Sequence, residues 1–193
     1  DEQFKVNASM GVTCSPRDGS SFETLFKNAD TAMYEAKNNL QKSYVFYTAS
    51  MTEQLLNISK LDNELKRAIE NDEFVVYYQP QINLRTNQMI GLEALVRWYH
   101  PVEGIIPPNN FIPRAEETRL IIPLGLLIFK KSLMQMKKWD EQAFFDGVMA
   151  INISSVQIEE ENFVEKLEVI RQEIGISAQR IELEVTESCF MNN

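Results

Sequence analysis

Gly91-Leu-Glu-Ala-Leu-Val-Arg-Trp98 alternates large apolar residues with Glu93, Leu95 and Arg97. Side chains alternate along a strand, so those three project from one face and Leu92, Ala94, Val96 and Trp98 from the other. A carboxylate and a guanidinium on an inward face are costly unless a ligand lies between them, and a metal with a phosphate has the right charges. The flanks give this strand its place. Upstream, Phe74-Val-Val-Tyr-Tyr-Gln-Pro80 reads as a second strand, separated by the turn-rich piece Asn83 to Gln88. That connection is too short for a helical crossover, so the two strands pair antiparallel. Downstream the grammar changes to helix and strand in alternation, with helices at 124–143 and 159–174 and strands at 148–153 and 180–186. Such alternation predicts parallel strands with helices outside. A closed barrel of this kind needs about eight strands and roughly 250 residues. Four strands therefore predict the first half of a TIM-like (β/α) barrel opened by an antiparallel hairpin, an α/β fold.

The N-terminal part reads differently. A strand-like stretch from Phe4 to Val12 ends in the turn-rich Thr13 to Gly19. Ser21 or its neighbour caps a helix whose Phe22, Leu25, Phe26, Ala29, Ala32, Met33 and Ala36 form one apolar face. A short strand follows at Tyr44 to Tyr47. So small a strand-helix-strand unit cannot bury a complete core, and reads as the C-terminal end of a larger α+β domain. Residues 50–71 then read as a helical connector. The predicted boundaries are 1–49, a linker at 50–60, and the half-barrel at 61–193.

With 28 acidic against 19 basic residues, the formal net charge is −9. That excludes broad binding to DNA or RNA, which needs a basic surface to release phosphate counterions. A small phosphate ligand held by an arginine and a metal remains compatible. The longest apolar run, Leu120 to Phe129, is broken by Pro123 and Gly125 and reads as core, so no membrane segment is expected. No secretion leader is recognisable, and Cys14 and Cys189 form no disulfide framework, which suits the cytoplasm.

Barrel sites gather at the C-terminal ends of the strands. Glu93, Asn152 and Glu184 fall there and form a hard oxygen set suited to Mg²⁺ or Mn²⁺. Each also has a bland reading, the asparagine as a turn residue and the glutamates as solvated side chains. His100, the single histidine, reads as a loop-packing residue past the strand end.

The ordered run Tyr78-Gln-Pro80, Gly91 to Trp98, His100-Pro101, Phe111-Ile-Pro113 with Ala115-Glu116, Asn152-Ile-Ser154 and Glu184-Val-Thr-Glu187 resembles the EAL family of cyclic di-GMP phosphodiesterases. Ser9-Met-Gly-Val12 and Ala29 to Lys37 resemble the end of a GGDEF diguanylate cyclase domain. The resemblance implies that Glu93, Asn152 and Glu184 are metal ligands, that Arg97 grips a phosphate, and that Gln79 and Leu95 line the substrate. It places Pro113 and Glu116 near a guanine and gives Glu187 a supporting role in a loop. The implied reaction is metal-dependent opening of one phosphodiester bond of cyclic di-GMP to linear pGpG. The family completes its site with later aspartates and a lysine, so this fragment alone is expected to be inactive. A homodimer in the intact parent is expected, with tethering of the parent to a membrane sensor left open. A catalytically inactive cyclic di-GMP receptor and a protein interaction module are the competing readings. Leu40, Gln41 and Lys42 stand where the cyclase family has glycine, arginine and asparagine, which implies a degenerate cyclase domain. Arg119 stands where the EAL family has glycine; a positive φ there would strain the chain.

Overall fold

A computed structural model describes residues 8–38 and 43–185. The chain resolves into two units, 1–61 and 62–193.

In the first unit, β1 (Met10–Val12) and β2 (Tyr44–Phe46) pair in parallel across helix α1 (Phe22–Asn38). The Ser21 hydroxyl accepts from the Thr24 N–H at 3.2 Å and so caps α1. The helix lies directly on Gly11, where a Cβ would come within 1.8 Å of the Ala29 carbonyl oxygen. The apolar stripe of α1 is only partly used. Ala32 and Ala36 are buried, whereas Phe22 and Phe26 stack on each other in solvent, 79% and 64% exposed. Two three-residue strands offer too little surface to cover the whole stripe. Residues 1–7 and 39–42, with Leu40, Gln41 and Lys42, lie outside the described residues.

Helix α2 (Ala49–Glu70) is one element, longer than the predicted linker, and the division between the units falls within it. In the second unit, β3 (Phe74–Asn83) and β4 (Gln88–His100) form the expected antiparallel hairpin. Asn83 makes its turn: its Oδ1 accepts from the N–H groups of Arg85 and Thr86, at 2.9 and 3.3 Å, and Asn87 takes a left-handed φ of 56°. The far end is locked by Phe74, Trp98 and Phe111, fully buried with ring centroids 5.4–5.8 Å apart. A third strand, β5 (Gly104–Ile106), pairs antiparallel with the end of β4 and was not expected.

Helix α3 (Ile112–Glu117) and helix α4 (Ile121–Glu141) lead to β6 (Val148–Ile153), which pairs in parallel with β4. Two helices, α5 (Ser155–Ile158) and α6 (Phe163–Ile174), then lead to β7 (Ile181–Val185), parallel to β6. A single helix at 159–174 was expected. Only α6 falls in that range; it starts four residues late, after Asn162, left-handed at φ 59°, and the short α5 precedes the range altogether. Leu92 and Ala94 of β4 and Met149, Ile151 and Ile153 of β6 pack beneath Phe129, Leu133 and Met136 of α4 and Phe163 and Leu167 of α6. Each large side chain buried there stabilises the fold by about 1.5–3 kcal/mol. The result is the predicted α/β architecture: hairpin first, then parallel βα units with helices on one face of a five-stranded sheet.

Candidate functional site

The face of the sheet away from the helices carries the polar residues, and the ladders set their rows. Gln79 stands opposite Glu93, Glu93 opposite Ala150, and Ala150 opposite Glu182. One row on, Tyr77 stands opposite Leu95 and Asn152 opposite Glu184. The next row pairs Val75 with Arg97. Paired residues project to the same side, so Glu93, Asn152 and Glu184 meet on one surface although 91 positions separate the first from the last.

The Asn152 amide donates from Nδ2 to Glu93 Oε1 at 2.8 Å. The Glu184 carboxyl is held above its ordinary value, first by burial and then by the charges of Glu93 and Glu182. Glu182 was missed at the level of sequence, although the period-two pattern of Ile181-Glu-Leu-Glu184 already puts it on the face of Glu184. Three carboxylates and an amide without an opposing charge in the row form a site that a cation would relieve. The oxygen donors fit a hard divalent ion, the Asn152 amide presenting its carbonyl after a simple rotation. Among the described residues, no group of three or more His, Cys, Asp or Glu side chains is placed to hold a metal ion.

Arg97 is anchored beside this row. Its Nη1 donates to the Val96 carbonyl at 2.7 Å, and its guanidinium carbon lies 5.6 Å from the centre of the Tyr77 ring. Tyr78, one position along, points the other way into the core. It meets Trp139 edge to face at 4.8 Å, and burial pushes its hydroxyl up to about 12.

Leu95, Glu116 and Asn152 share a cavity of about 320 Å³. It runs between the strand ends and α3, α4 and α5, and Ser154, Gln157 and Gly125 line its deep side. Gln157 is 1% exposed; its Oε1 accepts from the Ser154 N–H at 3.0 Å, while its Nε2 has no partner among the described residues. Pro113 is not on that wall: it sits exposed in the first turn of α3, and Ile112 lines the cavity instead. His100 is not in a loop past the strand as expected: it is the last residue of β4, paired with Gly104 of β5 and buried, its Nδ1 accepting from the N–H groups of Val102 and Glu103 at 3.3 and 3.0 Å. Glu187 and Cys189 lie outside the described residues.

A half-barrel opened by an antiparallel hairpin, with an oxygen-rich row and Arg97 on the side away from its helices, defines a (β/α) barrel domain whose polar face is built from its strands. The chain belongs to the EAL domain family, whose model matches residues 62–193. The model of the diguanylate cyclase GGDEF domain matches residues 1–43. The chain is 37% identical over 188 residues to the cyclic di-GMP phosphodiesterase PdeR of Escherichia coli (strain K12), covering 97% of this chain and 28% of that protein. It is 34% identical over 191 residues to the bifunctional diguanylate cyclase/cyclic di-GMP phosphodiesterase MucR of Pseudomonas aeruginosa, covering 99% of this chain and again 28% of the relative. The chain thus spans little more than a quarter of these relatives. Among solved structures, the PaMucR phosphodiesterase in complex with c-di-GMP superposes with a TM-score of 0.65 at 34% identity, over 69% of this chain and 54% of that one. No helix among the described residues is long and apolar enough to cross a membrane.

Proposed function

We propose that the protein containing this chain is a cyclic di-GMP phosphodiesterase that opens one phosphodiester bond to give linear pGpG. The hydrogen bond between Asn152 and Glu93, next to a Glu184 carboxyl raised by burial and by its acidic neighbours, carries this reading. Glu93, Asn152 and Glu184 would hold a divalent cation, Mg²⁺ or Mn²⁺, and Glu187 would support the loop after β7. When bound, such an ion polarises a phosphoryl oxygen and lowers the pKa of a bound water. The chain's own residues do the rest. Arg97, with donors left over after its bond to Val96, binds and orients a phosphate. Gln79, opposite Glu93, and Leu95 line the dinucleotide, with Glu116 at the cavity mouth and Pro113 on the outer turn of α3 near a base.

In this reading residues 1–49 are the end of a GGDEF-like domain, 50–60 the linker and 61–193 the first half of an EAL domain, and the intact protein is a cytoplasmic homodimer. The resemblance implies further aspartates and a lysine beside these three donors, so the 193-residue chain alone is expected not to turn over. The test is hydrolysis of cyclic di-GMP by the full-length protein with Mg²⁺ or Mn²⁺, read as pGpG release, beside its Glu93→Gln variant. Metal-dependent release lost in the variant supports the proposal. Binding of cyclic di-GMP without any product replaces it with the receptor reading, and neither binding nor product refutes both.

A further inference from the structure

Two tyrosines on the site face are half in solvent, Tyr77 at 45% and Tyr99 at 47% exposure, and no core contact accounts for them. The registers explain how they meet. Tyr77 stands opposite Leu95 and Val75 opposite Arg97, so the Tyr77 ring and Tyr99 flank the row that holds Arg97. The two hydroxyls are 3.0 Å apart, and the ring so pinned faces the Arg97 guanidinium at 5.6 Å. Val75, small and opposite Arg97, leaves the space across which they join.

We propose that Tyr77 is a positioning residue for Arg97, its ring braced by Tyr99, so that the free guanidinium donors are presented to a phosphate of the substrate. The inference rests on the reading of Arg97 as a phosphate group's partner. An arginine side chain has many rotamers, and holding it in one before the ligand arrives removes that ordering cost from binding. Tyr77 supplies the hold without taking a donor: the ring face attracts the cation, and among the described residues only Nη1 is used, by the Val96 carbonyl. Were the hydroxyl bond absent, the exposed ring would be free to turn away from the guanidinium.

The experiment uses the full-length protein and measures both steady-state hydrolysis and equilibrium binding of cyclic di-GMP without divalent metal. An exposed ring–cation contact corresponds to about a two- to fivefold effect. Tyr77→Leu is expected to raise KM and Kd by that factor with kcat changed less than twofold, and Tyr77→Phe, which keeps the ring but loses the Tyr99 brace, to recover part of the loss, as Tyr99→Phe loses part of the hold. In an Arg97→Ala background Tyr77→Leu is expected to add nothing. A full further two- to fivefold loss in that background overturns the inference, as does a Phe variant no better than Leu. If Arg97→Ala itself leaves binding unchanged, the phosphate reading fails and this inference with it, whereas additivity sinks this inference alone. Should Tyr77→Leu not fold, Tyr99→Phe releases the ring by removing one oxygen, and its loss of binding must likewise vanish in the Arg97→Ala background.

Discussion

Replacing Arg119 isolates a conformational cost that the chain carries in its turn from α3 to α4. Arg119 holds a φ of 60°, a left-handed conformation that costs an ordinary L-residue about 1–2 kcal/mol. Glycine adopts it freely but gives up about 0.4–1 kcal/mol through its looser unfolded chain. The difference favours glycine by about 0.5–1 kcal/mol relative to any other residue that makes no contact there. Arg119 does make one, an exposed ion pair with Glu160 at 2.7 Å, of the kind that contributes little and is screened by salt. The clean comparison is therefore Arg119→Gly against Arg119→Ala, both of which delete the pair while only one relieves the backbone. With an m-value of about 2 kcal/mol/M in urea, the glycine variant should unfold about 0.3–0.5 M later than the alanine variant. Tryptophan fluorescence is the suitable probe, because the two tryptophans, Trp98 and Trp139, both belong to the second unit. The alanine variant should differ from wild type by a small loss that disappears in 1 M salt. A glycine variant no more stable than alanine would show that Arg119 is not strained and refute the reasoning.

Three further outcomes follow from particular contacts. Glu184 has a folded pKa raised above its unfolded value, so its protonated form favours the fold and its stability contribution is lost as pH rises through the folded pKa; the gain from Glu184→Gln in metal-free chain should therefore grow between pH 4 and pH 7 in urea titrations, and an equal gain at both ends would contradict it. Gly125→Ala would put a Cβ 1.8 Å from Gln157 Nε2; because Gln157 is buried and tied to Ser154, the clash should cost about 1–3 kcal/mol and be relieved by a second change, Gln157→Ala, and a double variant as unstable as the sum of the singles would exclude this cause. Arg114 grips Asp62 of α2 through two bonds at 2.6 and 2.7 Å, and Asp62 and Glu117 together hold its guanidinium above the usual value; Arg114→Lys, which keeps the charge but loses the fork, should cost about 1 kcal/mol of urea stability, and no cost would mean the fork geometry is idle.

The alternation of Gly91 to Trp98 made the inner face of β4 legible from sequence because a period of two leaves only two choices, and the apolar set chooses between them. The same rule extends to Asn152 and Glu184, and would have reached Glu182. What the rule does not reach depends on partners distant in the chain or on the backbone of a single residue. β5 has three residues and no pattern of its own; its pairing is supplied by the long end of β4. The break at Asn162 is a backbone choice that the helical spacing around it conceals. The exposure of Phe22 and Phe26 follows from the area of their neighbours and not from the stripe itself. Gly125, which in sequence looked like an interruption of an apolar run, is the contact surface for Gln157. At β5 and Gly125 a non-local contact decided the outcome, and at Asn162 the backbone of a single residue did.

The placement of the site then hinges on one irregularity in the hairpin. At the site rows the β3 and β4 residue numbers sum to 172, as in Gln79 with Glu93 and Phe74 with Trp98, but at the turn Asn83 pairs with Gln88. The shift falls between Gln81 and Ile82, leaving Ile90 of β4 without a partner in the ladder. If the turn's register ran on unbroken, Gln79 would stand opposite Leu92, and the pairing of every site row would move by one. The bulge thus uncouples the turn, which needs Asn83 and Asn87 where they are, from the site, which needs Glu93 opposite Gln79 and level with Ala150. The register of the functional rows is set from the other end, by the buried Phe74, Trp98 and Phe111 cluster and by the parallel ladder to β6. Core and polar row share β4 but occupy opposite faces of it, so the helix-facing residues hold the strand in place while Glu93, Leu95 and Arg97 project from the other side, where the proposed site lies.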